Sequence, residues 1–209
     1  MDLILYLKDS FSFHLMKNIL ENEENLERCK YLFEILGDME YEGLLITHIP
    51  IDIDFQTYKY TLGYLSKVLP INNILLLENV VVNDNIGYLK KIDELFLMLD
   101  QYNLDNIKFC LDFGHLLFSF YKEGFTQYQA LESLEKYKNI LKNVKEIHLH
   151  DFNISFDHLH LKEGMIDLDQ LSNFIEANYI RCPIILETTI KNPKEDGKQQ
   201  VEIAKKLIV

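Results

Sequence analysis

The stretch Lys145–Gly164, KEIHLHDFNISFDHLHLKEG, carries four of the chain's seven histidines, with acids between them. Its beginning, read with the preceding valine as VKEIHLH (144–150), has the two-residue alternation of a strand. His148 and His150 face one side, Ile147 and Leu149 the other. A strand ending in two imidazoles fits a surface accident, a pH sensor or part of a metal site. The rest of the chain decides among these.

Five other stretches have the same character: SFSFHL (10–15), GLLITHI (43–49), NILLLEN (73–79), IKFCLDF (107–113) and PIILETT (183–189). Each is a short apolar or β-branched run, as expected of a buried strand. Each also carries a metal-ligand type of residue near its C-terminal end: His14, His48, Glu78, Asp112 and Glu187, with His148 in the sixth. A strand covered by helices on both faces should be apolar throughout, because burying charge is costly. In a parallel barrel the C-terminal strand ends converge on one mouth, whereas in an open doubly wound sheet they spread along an edge.

Between the strands lie segments of helical spacing: 24–37, 57–69, 85–102, 127–143, 167–177 and 198–208. Met1–Asp9 reads as the end of a helix leading into the first strand. Strand and helix alternate at intervals of about 30 to 40 residues, which implies right-handed crossovers and a mainly parallel sheet. No linker, repeat or low-complexity tract interrupts the pattern, so a single domain over residues 1–209 is expected. Phe118, Phe120 and Tyr121 read as helix packing.

Apolar residues make up 48% and charged residues 26% of the 209, which excludes wholesale disorder. There is no apolar run of the roughly 20 residues that a membrane span needs. The first residues lack the features of a signal peptide. Cys29, Cys110 and Cys182 are odd in number and far apart, which suits reduced thiols in the cytoplasm, the expected location. The net charge of −12 speaks against broad contact with nucleic acid or an anionic membrane, but not against an acidic site filled by divalent cations. Arg28 and Arg181 are the only arginines, so phosphate recognition would lean on lysine.

Carboxylates and imidazoles converging from six strands form a ligand set for Zn²⁺, Mn²⁺ or a similar ion, one or more of them. Such a cation would make buried Glu78 and Glu187 tolerable. Taken singly, His14 or His48 reads as a hydrogen-bonded structural group, and Glu78 as a solvent-facing acid. The joint pattern selects a shared site. His148 lies deeper in its strand and is the preferred ligand, with His150 as its support. The following loop offers Asp157, His158 and His160 over the same face.

With these residues in hand, the chain resembles the xylose isomerase-like TIM-barrel superfamily. That group joins sugar and sugar-phosphate isomerases and epimerases with the endonuclease IV type of apurinic/apyrimidinic (AP) endonuclease, AP endonuclease family 2. LLLEN, CLDFGH, IHLHDFN, DHLHLKEGMIDL and ILETT resemble its successive motifs, in order, from about Phe11 to Thr188. The resemblance implies an α/β TIM barrel in which Glu78, Asp112, His148 and Glu187 hold a catalytic divalent cation. In the epimerase branch, Glu78 and Glu187 would also exchange protons with a carbon beside a carbonyl. His115 would contact substrate or a further metal, and His158 precedes the family's LPLGEG-like segment, here LHLKEG. In the nuclease branch His14, His48, His115 and His158 would complete a multi-zinc cluster. Phe156 stands where that branch has an aspartate, and Asp157 substitutes only if the loop shifts register.

A full (β/α)₈ barrel takes about 250 residues. Six strands imply an incomplete or irregular barrel lacking the usual first strand, closed irregularly or covered by a partner subunit, as in a homodimer. The leading expectation is a metal-dependent isomerase or epimerase acting on a small sugar or sugar phosphate. The alternatives are a zinc AP endonuclease and a non-catalytic relative that keeps the fold.

Overall fold

The six expected strands form one parallel sheet whose order in space is their order in sequence. The computed structural model describes residues 12–15, 23–39, 41–52, 54–188 and 195–207. The helical reading of Met1–Asp9 lies outside them. The strands are β1 (Ser12–His14), β2 (Leu44–His48), β3 (Ile74–Glu78), β4 (Ile107–Asp112), β5 (Val144–Leu149) and β6 (Ile184–Leu186). A helix follows every strand, and the whole is an incomplete α/β TIM barrel. Among the described residues no ladder joins β1 to β6. No described helix is long and apolar enough to cross a membrane.

Alternation divides the sheet into two layers. Leu45, Leu75, Leu77, Phe109, Leu111, Ile147 and Leu149 point outward and are buried beneath the helices in the main core. On the inner face Ile46, Leu76 and Cys110 form a separate small apolar cluster. Above it the inner residues turn polar. The ladder sets His48 beside Glu78, Glu78 beside Cys110, Cys110 beside Glu146 and Asp112 beside His148. This register delivers four strand ends to one mouth, and Glu187 joins them through its amide on the Leu149 carbonyl (3.1 Å).

The helices are α1 (Glu23–Asp38), α2 (Phe55–Val68), α3 (Asn85–Gln101), α4 (Phe113–Lys122), α5 (Gln127–Leu134), α6 (Lys138–Asn143), α7 (Leu168–Ala177) and α8 (Asp196–Ala204). A single 3₁₀ turn, Lys205–Leu207, follows α8. Thr126 and Gln129 form a capping box at α5, and Asp167 caps α7. The helix expected over 127–143 is broken in two. The Leu134 carbonyl takes the Tyr137 amide (3.0 Å), while Asp93 on α3 accepts the amides of Asn139 (2.8 Å) and Ile140 (3.2 Å). A carboxylate from another helix thus supplies the N-terminal acceptor that restarts the chain as α6.

Candidate metal centre

Asp112 ends β4 and caps α4 at once: its Oδ1 accepts the His115 amide at 2.7 Å. The turn from strand to helix is held by Asn79, one residue past β3. Asn79 Nδ2 donates to the Asp112 carbonyl and its Oδ1 accepts the Asp112 amide, both at 2.9 Å. The carboxylate is therefore fixed from both sides with no surface exposed.

Glu78, Asp112, His148 and Glu187 each present one donor atom within 4.8 Å of the others. Four positions spread over more than a hundred residues thus meet within the reach of a single cation. His148 Nδ1 lies 2.9 Å from Glu78 Oε1 and 3.1 Å from Glu187 Oε1. Its Nε2 lies 3.0 Å from Glu146 Oε1, on the opposite edge of the ring. Donors continue beyond this cage. His48 Nε2 is 3.3 Å from Glu78 Oε2, and His158 Nε2 is 3.8 Å from Glu187 Oε2. Imidazole and carboxylate alternate across the mouth in the order His158, Glu187, His148, Glu78, His48.

A second group gathers beside Asp112, where His115, His150 and His158 bring ring nitrogens within 4.8 Å of one another. His115 Nδ1 is 3.2 Å from Asp112 Oδ2. His150 stacks on His158 with ring centroids 4.0 Å apart, and its ring lies against Gly114, where a Cβ would come within 2.3 Å of it. Only glycine fits there. His150 Nδ1 lies 2.9 Å from the His158 amide and 3.3 Å from the Asp151 carbonyl, and its Nε2 lies 3.4 Å from Asp112 Oδ1. His150 thus lies between Asp112 and the His158 backbone, within the same group of ring nitrogens as His115 and His158.

The electrostatics follow from these contacts. Burial would push the Glu78 carboxyl up, but hydrogen bonds to His148 and His48 outweigh it and hold the group at about 2. Burial would lower the His148 imidazole, yet Cys110, Glu146 and Glu187 around it hold it well above its ordinary value. His150 is likewise raised against burial by Asp112. Burial pushes the Cys110 thiol well up, against the pull of His148. A divalent cation fits this donor set: Asp112 Oδ2 is buried without a hydrogen bond, and the inward oxygens and nitrogens match a hard or borderline ion.

His14 ends β1 opposite Ile46 in the ladder, and its side chain lies outside the described residues. Phe156, in the position of the expected aspartate, is 66% exposed. Asp157 does not replace it in the donor groups. Its Oδ1 sits 3.3 Å from His158 Nδ1 and turns Nε2 of that ring toward Glu187. Burial would raise the Asp157 carboxyl, and His158 outweighs this and lowers it. His160 pairs with Glu163 at 3.6 Å. Sequence reading did not single out Asn79 or Glu146. Glu146 shares the alternation of His148 and could have been found from it; nothing local marked Asn79.

Comparison with known proteins follows the same lines. The profile of a family described as a xylose isomerase-like TIM barrel matches residues 10–207. A protein of Persephonella marina called probable endonuclease 4 is 34% identical over 110 residues, covering 47% of this chain and 37% of that one. Its counterpart in Sulfurihydrogenibium sp. is 30% identical over 122 residues, covering 54% and 41%. The matched stretches thus span well under half of those relatives. Among solved structures, "AsfvAP:AG" superposes with a TM-score of 0.68 at 20% identity, covering 95% of this chain and 74% of that one. The 3-keto-D-glucoside 4-epimerase of E. coli gives 0.56 at 12% identity, covering 88% and 70%. At those identities the structures speak for the fold alone.

Proposed function

Because the chain belongs to the xylose isomerase-like TIM-barrel family, we propose that it is a divalent-metal phosphodiesterase cleaving nucleic acid at abasic sites. The observation that carries this reading is the run of donors past the four-residue cage. Glu78 has Oε1 2.9 Å from His148 Nδ1 and Oε2 3.3 Å from His48 Nε2, so both of its oxygens lie beside further nitrogen donors. Asp112 similarly faces both the cage and His115. Glu78, Asp112, His148 and Glu187 would hold one ion, Glu78 and His48 a second, and His115 and His158 a third. The likeness to two proteins called probable endonuclease 4 points the same way.

Two or more divalent cations there would outweigh the three carboxylate charges, attract a phosphodiester and activate water against it. The chain's own residues do the rest. Asn79 holds Asp112 with His150 beside it, and Asp157 fixes the His158 ring. Glu187 and His158, at 23% and 38% side-chain exposure, form the open side through which a substrate enters.

The isomerase expectation rests on Glu78 and Glu187 flanking one ring nitrogen. Against it stands only the run of further donors, with His48 3.3 Å from Glu78 Oε2 and His158 3.8 Å from Glu187 Oε2. Purified protein loaded with zinc or manganese is expected to bind at least two ions and to incise a duplex containing one abasic site. A single ion, no incision, and exchange of solvent deuterium into a ketose would replace this reading with the isomerase.

A further inference from the structure

We infer that Glu146 is a positioning residue for His148, holding the ring so that Nδ1 alone is offered to a cation. This rests on the metal-site reading above. Glu146 lies two residues before His148 on β5, so both side chains share the inner face of the sheet. It is 2% exposed, and its Oε1 lies 3.0 Å from His148 Nε2. Among the described residues His148 is its one ion-pair or hydrogen-bond partner. Lys108, on the neighbouring strand, gives its ammonium to Asn143 Oδ1 instead (3.0 Å).

A buried carboxylate is costly to desolvate, and the one partner among the described residues that compensates it is the His148 ring. What the carboxylate contributes is direction. His148 Nδ1 faces the oxygens of Glu78 and Glu187, so it must carry the lone pair when a cation binds. The ring proton then belongs on Nε2, where Glu146 is the acceptor. Without it the ring loses the carboxylate on that edge, and its tautomer and tilt are released. Its acceptor also increases the donor strength of Nδ1.

The test measures Zn²⁺ affinity by chelator competition in wild type, Glu146→Leu and Glu146→Gln, alongside thermal melting of each metal-free protein. Leucine should weaken the tightest Zn²⁺ by about 10- to 100-fold, with the melting curve showing that the variant folds. Glutamine keeps an acceptor oxygen without the charge and should lose about ten-fold. The His148 Nε2 proton should appear in NMR as a slowly exchanging signal in wild type and vanish with leucine. Should leucine prevent folding, the glutamine affinity decides alone. Unchanged Zn²⁺ affinity in a folded variant overturns the inference while leaving the metal site intact. No Zn²⁺ binding by wild type overturns both it and the proposed function.

Discussion

Glu78 has no exposed surface, and it tolerates this because His148 and His48 each face one of its oxygens. That pairing makes the stability of the metal-free chain depend on pH in a definite sense. The folded carboxyl lies at about 2 against an ordinary 4.5, so its contribution is complete above about pH 4.5 and is lost as pH falls toward 2. His148 is raised above its ordinary 6.5, so its contribution is complete below about 6.5 and is lost as pH rises through the folded value. The chelated protein should therefore melt highest between about pH 4.5 and 6.5. Divalent metal, which requires neutral His148, should move that optimum upward. Melting curves with and without chelator check this; a chelated protein still gaining stability well above neutral pH would contradict it. At this scale the donor types were legible in the sequence, because a charge in an apolar strand stands out. Asn79 was not, since an amide past a strand end looks like any loop residue until its two hydrogen bonds to Asp112 are seen.

The segment between β5 and α7 carries His158 and is organised by one carboxylate. Asp151, wholly buried, accepts the amides of Phe152 and Ile166 on Oδ1 and of Lys162 and Gly164 on Oδ2, all at 2.9 to 3.0 Å. Gly164 is required, because a Cβ there would lie 2.2 Å from the Phe152 carbonyl oxygen and 2.3 Å from Asp151 Oδ1. His158 and Lys162 take left-handed backbone (φ 57° and 73°), a cost these hydrogen bonds offset. Asp151→Ala should strip four amides of their acceptor and destabilise the chain by about 3 kcal/mol or more. Urea unfolding measures the loss, and hydrogen exchange should show the amides of residues 162, 164 and 166 newly unprotected. A change under about 0.5 kcal/mol with unaltered exchange would contradict it. From sequence, this stretch read as a loop folding back over the site, which it does through the Asp151–Leu159 bridge. The anchor was not legible, because it joins residues 11 to 15 positions apart that no helical or strand period relates. The break at residues 135–137 was hidden for a similar reason: the cap that restarts α6 comes from Asp93, more than forty positions earlier.

At the scale of the whole molecule, the donors come from strands far apart in sequence, from His48 to Glu187. A cation binding them cross-links the sheet and binds the folded chain only. Metal at a hundred times its dissociation constant should stabilise the fold by about 2.7 kcal/mol. The melting temperature should therefore rise with metal concentration and fall on chelation, and calorimetry at several concentrations tests this. A melting temperature indifferent to both would remove the shared cation. The sequence by itself determined the number and order of the strands, their parallel course, and which residue types end them. Strand periodicity, crossover handedness and the cost of buried charge are short-range or general, so they can be read without coordinates. Only the tertiary structure decided which oxygen meets which nitrogen: that Glu78 lies between two imidazoles, that His150 stacks on His158, and that Glu146 stands behind His148. Those assignments depend on ladder register and ring orientation. A one-residue slip or a half-turn of a ring changes them while leaving the sequence pattern untouched.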